Sequence, residues 1–193
     1  MANDDGFQIV SRGVRPRQHV RSGRKVCCDS GSVEIVSSVL RTREDLNMMQ
    51  YAAQIEGLLE GVECEDLICY GIGLFGTCRI ARLQLALLLH IASVKQVSKV
   101  LVYDPVLCPQ EKAALRELHC VCIPENELCR RQVQTKTVFY MPHCGRAMYN
   151  NLIWANWSPE KLSQLALIGN SFQSYLDSPP PPSDPSDPEI ITK

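Results

Sequence analysis

Asp66-Leu67-Ile68-Cys69-Tyr70-Gly71-Ile72-Gly73-Leu74-Phe75-Gly76 is the stretch whose reading decides the fold. A short apolar run ends in three glycines spaced G-x-G-x-x-G, and a helical pattern opens at Thr77. Strand, tight turn and helix in that order form the first unit of a nucleotide-binding α/β fold. There the first glycine permits the turn, the second lets backbone N–H groups approach a ligand, and the third brings helix and strand together. A helix N-terminus aimed at the turn adds partial positive charge and unpaired donors, which suit an anionic or polar ligand. The same glycines also make a compact turn with no ligand, and both readings stand at this point.

Downstream, the pattern alternates. A helix over 77–94 carries Ile80, Leu83, Leu87, Ile91 and Val94 at helical spacing, thickened by Leu85, Leu88 and Leu89, so it must be covered almost all round. Strands follow at 100–103, 120–123, 137–141 and 165–168, separated by helices at 109–118, 145–154 and one entered at Ser158-Pro159-Glu160, an N-cap followed by proline and acid in the first turn. Upstream, one helix over 43–60 is expected, with Thr42 as N-cap and the helix leaning on an edge of the sheet. Alternating short strands and helices imply a three-layer, Rossmann-like α/β fold: a mostly parallel five-stranded sheet with helices on both faces. The expected organisation is a basic, unstructured arm over 1–32, a helical segment over 33–63, the Rossmann-like domain over 64–176 and a proline-rich tail over 177–193.

The 193 residues are 45% hydrophobic and 21% charged, which allows one core plus tails. A formal charge of -1 argues against a general polyanion binder. The arm is the exception, with Arg12, Arg15, Arg17, Arg21, Arg24 and Lys25; it reads as a localisation signal, as an RNA or membrane-surface contact, or as a solvated tail. The ten cysteines follow an acidic Met1-Ala2-Asn3-Asp4-Asp5 start rather than a secretory leader, so reduced thiols in the cytoplasm or nucleus are expected. No cysteine pair has zinc-finger spacing, and the longest apolar run, 85–89, is far short of a membrane span of about 20 residues. The Ser178-Pro179-Pro180-Pro181-Pro182 run marks the tail as extended polyproline II.

Ligands of such sheets sit outside the carboxyl ends of the strands. That edge receives Gly71, Gly73 and Gly76 after the first strand, Asp104 after the second, His143 and Cys144 after the fourth, and Asn170 with Ser171 after the fifth. Asp104 stands where a ribose diol is held in dinucleotide and adenosyl-methionine folds, although Asp before Pro is also a plain turn starter. Met141-Pro142-His143-Cys144-Gly145 sets a thiol at a helix start beside an imidazole, which suits a nucleophile or metal ligand; a buried thiol and a capping imidazole are the structural alternative. Cys108-Pro109 would hold a further thiolate of the kind that ligates haem iron.

Taken together, the motifs resemble the Sensitivity to Red Light Reduced domain family. The resemblance rests on Cys69-Tyr70-Gly71-Ile72-Gly73, Gln84-Leu85-Ala86-Leu87-Leu88-Leu89, Tyr103-Asp104-Pro105 and Phe139-Tyr140-Met141-Pro142-His143-Cys144. Tyr149-Asn150-Asn151-Leu152-Ile153-Trp154-Ala155-Asn156-Trp157 and Ile168-Gly169-Asn170-Ser171-Phe172 continue it. It implies an intracellular regulator with protein partners, associated with circadian timing and with control of haem biosynthesis, rather than an enzyme. Gly76 is not part of that pattern, and the family supplies no catalytic residues to carry over. Two functions therefore stand: a regulator that senses haem, with Cys108, His143 and Cys144 as candidate iron ligands, and an adenosyl-methionine or nucleotide-dependent transferase. In the second, Gly71, Gly73, Gly76, Asp104 and Asn170 bind the cofactor, and His143 or Cys144 serves as base or nucleophile.

Overall fold

Five short apolar runs become strands; the three inner ones are buried on both faces, as a helix-covered parallel sheet provides, and the two outer ones are partly exposed. The computed structural model describes residues 30–48 and 51–173. The arm over 1–29, with Cys27 and Cys28, and the tail from 174 onward lie outside them. The elements run α1 (Ser32–Met48), α2 (Tyr51–Leu58), β1 (Asp66–Tyr70), α3 (Arg79–Val94), β2 (Val100–Tyr103) and α4 (Pro109–Glu117). They continue with β3 (Cys120–Cys122), β4 (Thr137–Met141), α5 (Arg146–Ala155), α6 (Pro159–Leu162) and β5 (Leu165–Gly169). The strands form one sheet in the order β3-β2-β1-β4-β5, and every pairing is parallel. Leu67 sits beside both Val100 and Val138, so β1 is the central strand.

Strand periodicity divides the core in two. Leu67, Cys69, Val100, Val102, Val138 and Tyr140 face α3 and α4, together with Ile35 and Val39 of α1. Ile68, Tyr70, Leu101, Phe139 and Met141 face the other way, onto Tyr149 and Leu152 of α5 and onto Ile123, Cys129 and Val133. Those last three belong to the connection over 123–136, which crosses the sheet without a helix. Half of the second face is therefore covered by irregular chain.

The N-terminal segment differs from expectation. Instead of one helix over 43–60 there are two, and α1 begins at Ser32. Thr42 is no N-cap: it lies inside α1 and its hydroxyl donates to the Ser38 carbonyl at 2.8 Å, a bond open to threonine within a helix. Ile55 and Leu58 of α2 line a groove with Ala166 and Ile168 of the edge strand β5, so the second helix does lie against a sheet edge, while α1 packs across α3 and α4. That placement covers the broad apolar stripe of α3, whose Leu85, Leu88, Leu89 and Ile91 are all buried. Burial of each such side chain is worth about 1.5–3 kcal/mol. Among the described residues, no helix is long and apolar enough to cross a membrane.

Candidate functional site

Because every strand runs the same way, the ends of β1, β2, β4 and β5 share one edge, and the chain leaves β1 there through the glycines. Gly71 and Gly73 have φ of +72° and +79°, a region costly for any residue with a Cβ. Space restricts them as well. A Cβ on Gly71 would lie 3.2 Å from Cys144 Sγ, and one on Gly73 would lie 3.3 Å from the Ala81 Cβ of α3 and 3.8 Å from His143 Cδ2. Gly73 is thus a point of close approach between helix and loop, as well as the neighbour of His143.

The N–H groups of all three glycines are engaged, that of Gly71 with the Tyr103 carbonyl at 3.1 Å and the other two with carboxylates. Gly73 N–H donates to Asp104 Oδ2 at 2.8 Å, while Asp104 Oδ1 accepts from Val106 N–H at 3.0 Å. Gly76 N–H donates to Glu111 Oε1 at 2.8 Å, and Glu111 Oε2 accepts from Cys108 N–H at 3.0 Å. Asp104 and Glu111 are both buried. Arg82 closes the far side, its Nε donating to the Phe75 carbonyl at 3.1 Å and a terminal nitrogen to the Gly76 carbonyl at 3.0 Å. Helix α3 also starts later than the motif predicts, at Arg79, after a turn in which Cys78 N–H meets the Leu74 carbonyl at 2.8 Å. The geometry is that of a turn clamped by two carboxylates and a guanidinium. A phosphate placed there would meet negative charge, with the glycine N–H donors already engaged.

Beside this clamp, where β1 and β4 diverge to opposite sides, lies a cleft of about 790 Å³ lined by Gly71, Tyr103, Asp104, Cys129, His143 and Met148 among others. The divergence point is the usual place for a ligand in an open α/β sheet. One wall is strained. Leu128 and Cys129 follow one another at φ of +50° and +56°, a left-handed pair that costs roughly 1–2 kcal/mol per non-glycine residue. Asn126 Oδ1 accepts from Leu128 N–H at 3.0 Å and Asn151 Nδ2 donates to the Leu128 carbonyl at 3.0 Å, pinning that wall. Beneath it, the Tyr70 hydroxyl donates to Glu127, which Arg131 Nε also approaches at 2.9 Å. Burial and the bond to Glu127 push the Tyr70 phenol far above its ordinary range. Burial alone would raise the Glu127 carboxyl, but the hydrogen bonds from Arg131 and Tyr70 outweigh it and hold that group below its usual value.

Gly71, Gly73, Asp104, His143, Cys144 and Asn170 come together: Asn170 Nδ2 donates to the Cys144 carbonyl at 3.4 Å, completing a chain across the edge. Gly76 is turned toward Glu111 instead. His143 is exposed at the lip of the cleft. Cys144 is buried, its thiol 3.4 Å from the Tyr70 carbonyl; a hydrogen bond with Cys129, together with burial, drives its pKa well above the thiol range. Such a thiol is a poor nucleophile. Cys108 is not brought to this group. It caps α4 within the core on the other face of the sheet, so it and Cys144 belong to separate clusters. Among the described residues, no group of three His, Cys, Asp or Glu side chains is placed to hold a metal ion.

Glu111, Arg82, Cys129 and Asn156 also shape the site, although no ligand or catalytic motif marks them in the sequence. Glu111 left a signal, since it stands three residues after Cys108, ahead of an apolar face, as in a capping box. Asn156 is wholly buried and holds the connection to the end of α5: Oδ1 accepts from Val133 N–H at 2.8 Å, and Nδ2 donates to the carbonyls of Arg131 and Leu152 at 2.9 Å each.

Against known proteins, a family model described as the SRR1 domain matches residues 46–190. The mouse "SRR1-like protein" is 45% identical over 125 residues, covering 63% of this chain and 50% of that protein. "Protein SENSITIVITY TO RED LIGHT REDUCED 1" of Arabidopsis thaliana is 33% identical over 164 residues, covering 84% and 60%. The Drosophila melanogaster "SRR1-like protein" is 31% identical over 127 residues, covering 65% and 45%. The chain therefore spans about half the length of the curated relatives it matches. No solved structure matches it.

Proposed function

The chain belongs to the SRR1-domain family, and from that premise we propose that it is a non-catalytic regulatory domain whose cleft at the β1–β4 divergence receives a flat, largely apolar ligand. Haem is the candidate ligand, and a role in circadian timing and control of haem biosynthesis, exercised through protein partners in the cytoplasm or nucleus, is the proposed context. The name of the Arabidopsis relative refers to red-light sensitivity, in keeping with a signalling role. The observation that carries the reading is the clamp: Gly73 and Gly76 N–H donate to Asp104 and Glu111. A loop whose second and third glycines donate to carboxylates is suited to shaping a cleft wall, not to cradling phosphate. The high pKa of the Cys144 thiol points the same way, away from nucleophilic catalysis.

Of the three candidate iron ligands, His143 alone is exposed at the cleft. Its imidazole would hold the iron, and haem would supply redox and gas-binding chemistry. Haemin titration of the reduced full chain is expected to give a Soret shift that His143→Ala reduces and Cys108→Ala leaves unchanged. Absence of a shift, or equal loss in both variants, refutes haem sensing at this cleft. Thermal-shift assays with adenosyl-methionine, NAD and ATP test the transferase reading, since a ligand at 100 times its Kd adds about 2.7 kcal/mol; a shift of that order with any of them would overturn the proposal.

A further inference from the structure

Trp154 and Trp157 stand out from the rest of the surface. They are 68% and 66% exposed, and their rings stack with centroids 6.3 Å apart and planes 27° from parallel. They flank Asn156, which is turned inward and holds its three hydrogen bonds in the core. Backbone bonds from Asn156 N–H to the Ile153 carbonyl at 3.1 Å and from Trp157 N–H to the Trp154 carbonyl at 3.3 Å tighten the turn. The two indoles are therefore presented on an anchored frame, so little ordering cost remains for whatever covers them. Next to them, Arg130, Asn151, Trp154 and Ala155 form a shallow recess of about 280 Å³.

We propose that this indole pair is the docking face for the chain's own proline run, Ser178-Pro179-Pro180-Pro181-Pro182. Proline-rich segments bind aromatic-lined grooves because polyproline II is already extended and loses little entropy on docking, and because pyrrolidine rings pack flat on indole faces. Chain length permits the contact. The described residues end at Gln173, and the Phe172 ring meets the Tyr149 ring of α5 edge-on at 5.5 Å. From Tyr149 to Trp154 is about 7.5 Å along the helix axis at 1.5 Å per residue. From Phe172 to Pro179 the chain can reach up to about 23 Å at roughly 3.3 Å per residue, enough to round a helix about 10–12 Å across. Charge agrees: Asp177 precedes the prolines, Asp184, Asp187 and Glu189 follow them, and Arg130 lines the recess.

The chain has two tryptophans, and they are these two, so its indole fluorescence reports on this face alone. The comparison is between the full chain and the full chain carrying Pro179→Ala, Pro180→Ala, Pro181→Ala and Pro182→Ala. Docking predicts that the variant emits at longer wavelength and that its acrylamide quenching constant rises about twofold, as collisional access follows exposed aromatic surface. A synthetic peptide of residues 177–193 added to the variant should restore both values saturably. Identical spectra and quenching in the two proteins would overturn the proposal. So would a difference that disappears on dilution of the full chain, because the run would then be covering a second copy.

Discussion

Glu111 offers the most direct test of the clamp on the glycine loop. Its carboxylate is 1% exposed and accepts from two backbone N–H groups, those of Gly76 and Cys108, at 2.8 and 3.0 Å. Hydrogen bonds to a charged acceptor contribute about 1.5–3 kcal/mol each, and a buried donor left without a partner costs about 1–3 kcal/mol. Glu111→Ala removes both acceptors and leaves a cavity, and because Gly76 is only half-buried its stranded donor is counted at the low end, for an expected loss of about 3–4 kcal/mol. Glu111→Gln keeps one acceptor and turns an NH2 toward the other donor, for about 2 kcal/mol. Against a typical total of 5–15 kcal/mol these are large fractions. In urea unfolding of the full chain, a slope near 2 kcal/mol per molar converts the alanine loss into a midpoint lowered by roughly 1.5–2 M at unchanged slope. A midpoint lowered by less than about 0.5 M would show that the two bonds do not hold the loop.

Two further outcomes follow from the connection and its tyrosine. Asn156→Ala strands the Val133 N–H and the carbonyls of Arg131 and Leu152, and is expected to cost about 2–4 kcal/mol, with loss below about 1 kcal/mol refuting the anchoring role. The pH profile has two edges. Glu127 is held below its ordinary value, so its contribution is present above about pH 4.3 and is lost as pH falls through the folded value. Tyr70 and Tyr140 are raised, by burial first and then by Glu127 for Tyr70 and by the neighbouring Cys69 for Tyr140. Their contribution is present below about pH 10 and lost above it. Spectrophotometric titration should therefore leave Tyr70 and Tyr140 protonated until the chain unfolds; ionisation of all six tyrosines together near pH 10 with the fold intact would contradict the burial.

The inner strands were legible because parallel strands buried on both faces are unbroken apolar runs, and 100–103 and 137–141 match β2 and β4 residue for residue; β3 and β5 are partly exposed and were marked by the turn residues that bound them. The edge where Gly71, Asp104, His143 and Asn170 meet follows from that order of strands. What the sequence withheld was long-range pairing. No local pattern announces that Gly73 N–H will find Asp104 or Gly76 N–H Glu111, and without those bonds the glycines read as a nucleotide motif. The motif also suggests a helix opening at once, whereas the turn at Leu74–Cys78 defers it to Arg79. Thr42 misled for a related reason: its hydroxyl serves equally at a helix start or back-bonded inside one, and only the packing of α1 on α3 and α4 decides. The separation of Cys108 from Cys144 depends on which face of the sheet each loop joins, which spacing along the chain does not encode.

The helix-free crossover between β3 and β4 gives the molecule unequal kinetic halves. The connection is fastened by individual links, Asn126 to Leu128, Asn151 to Leu128 and Asn156 to Val133, and releasing them severs no ladder and unwinds no turn of helix. Sub-global opening of this kind lies at the low end of the free-energy scale. Amide deuteration should accordingly reach Leu128 and Val133 long before Ile68 or Phe139 beneath them. A ligand entering from that side meets the more yielding of the two sheet faces, while the opposite face, roofed by α1, α3 and α4, keeps its protons until the whole domain lets go.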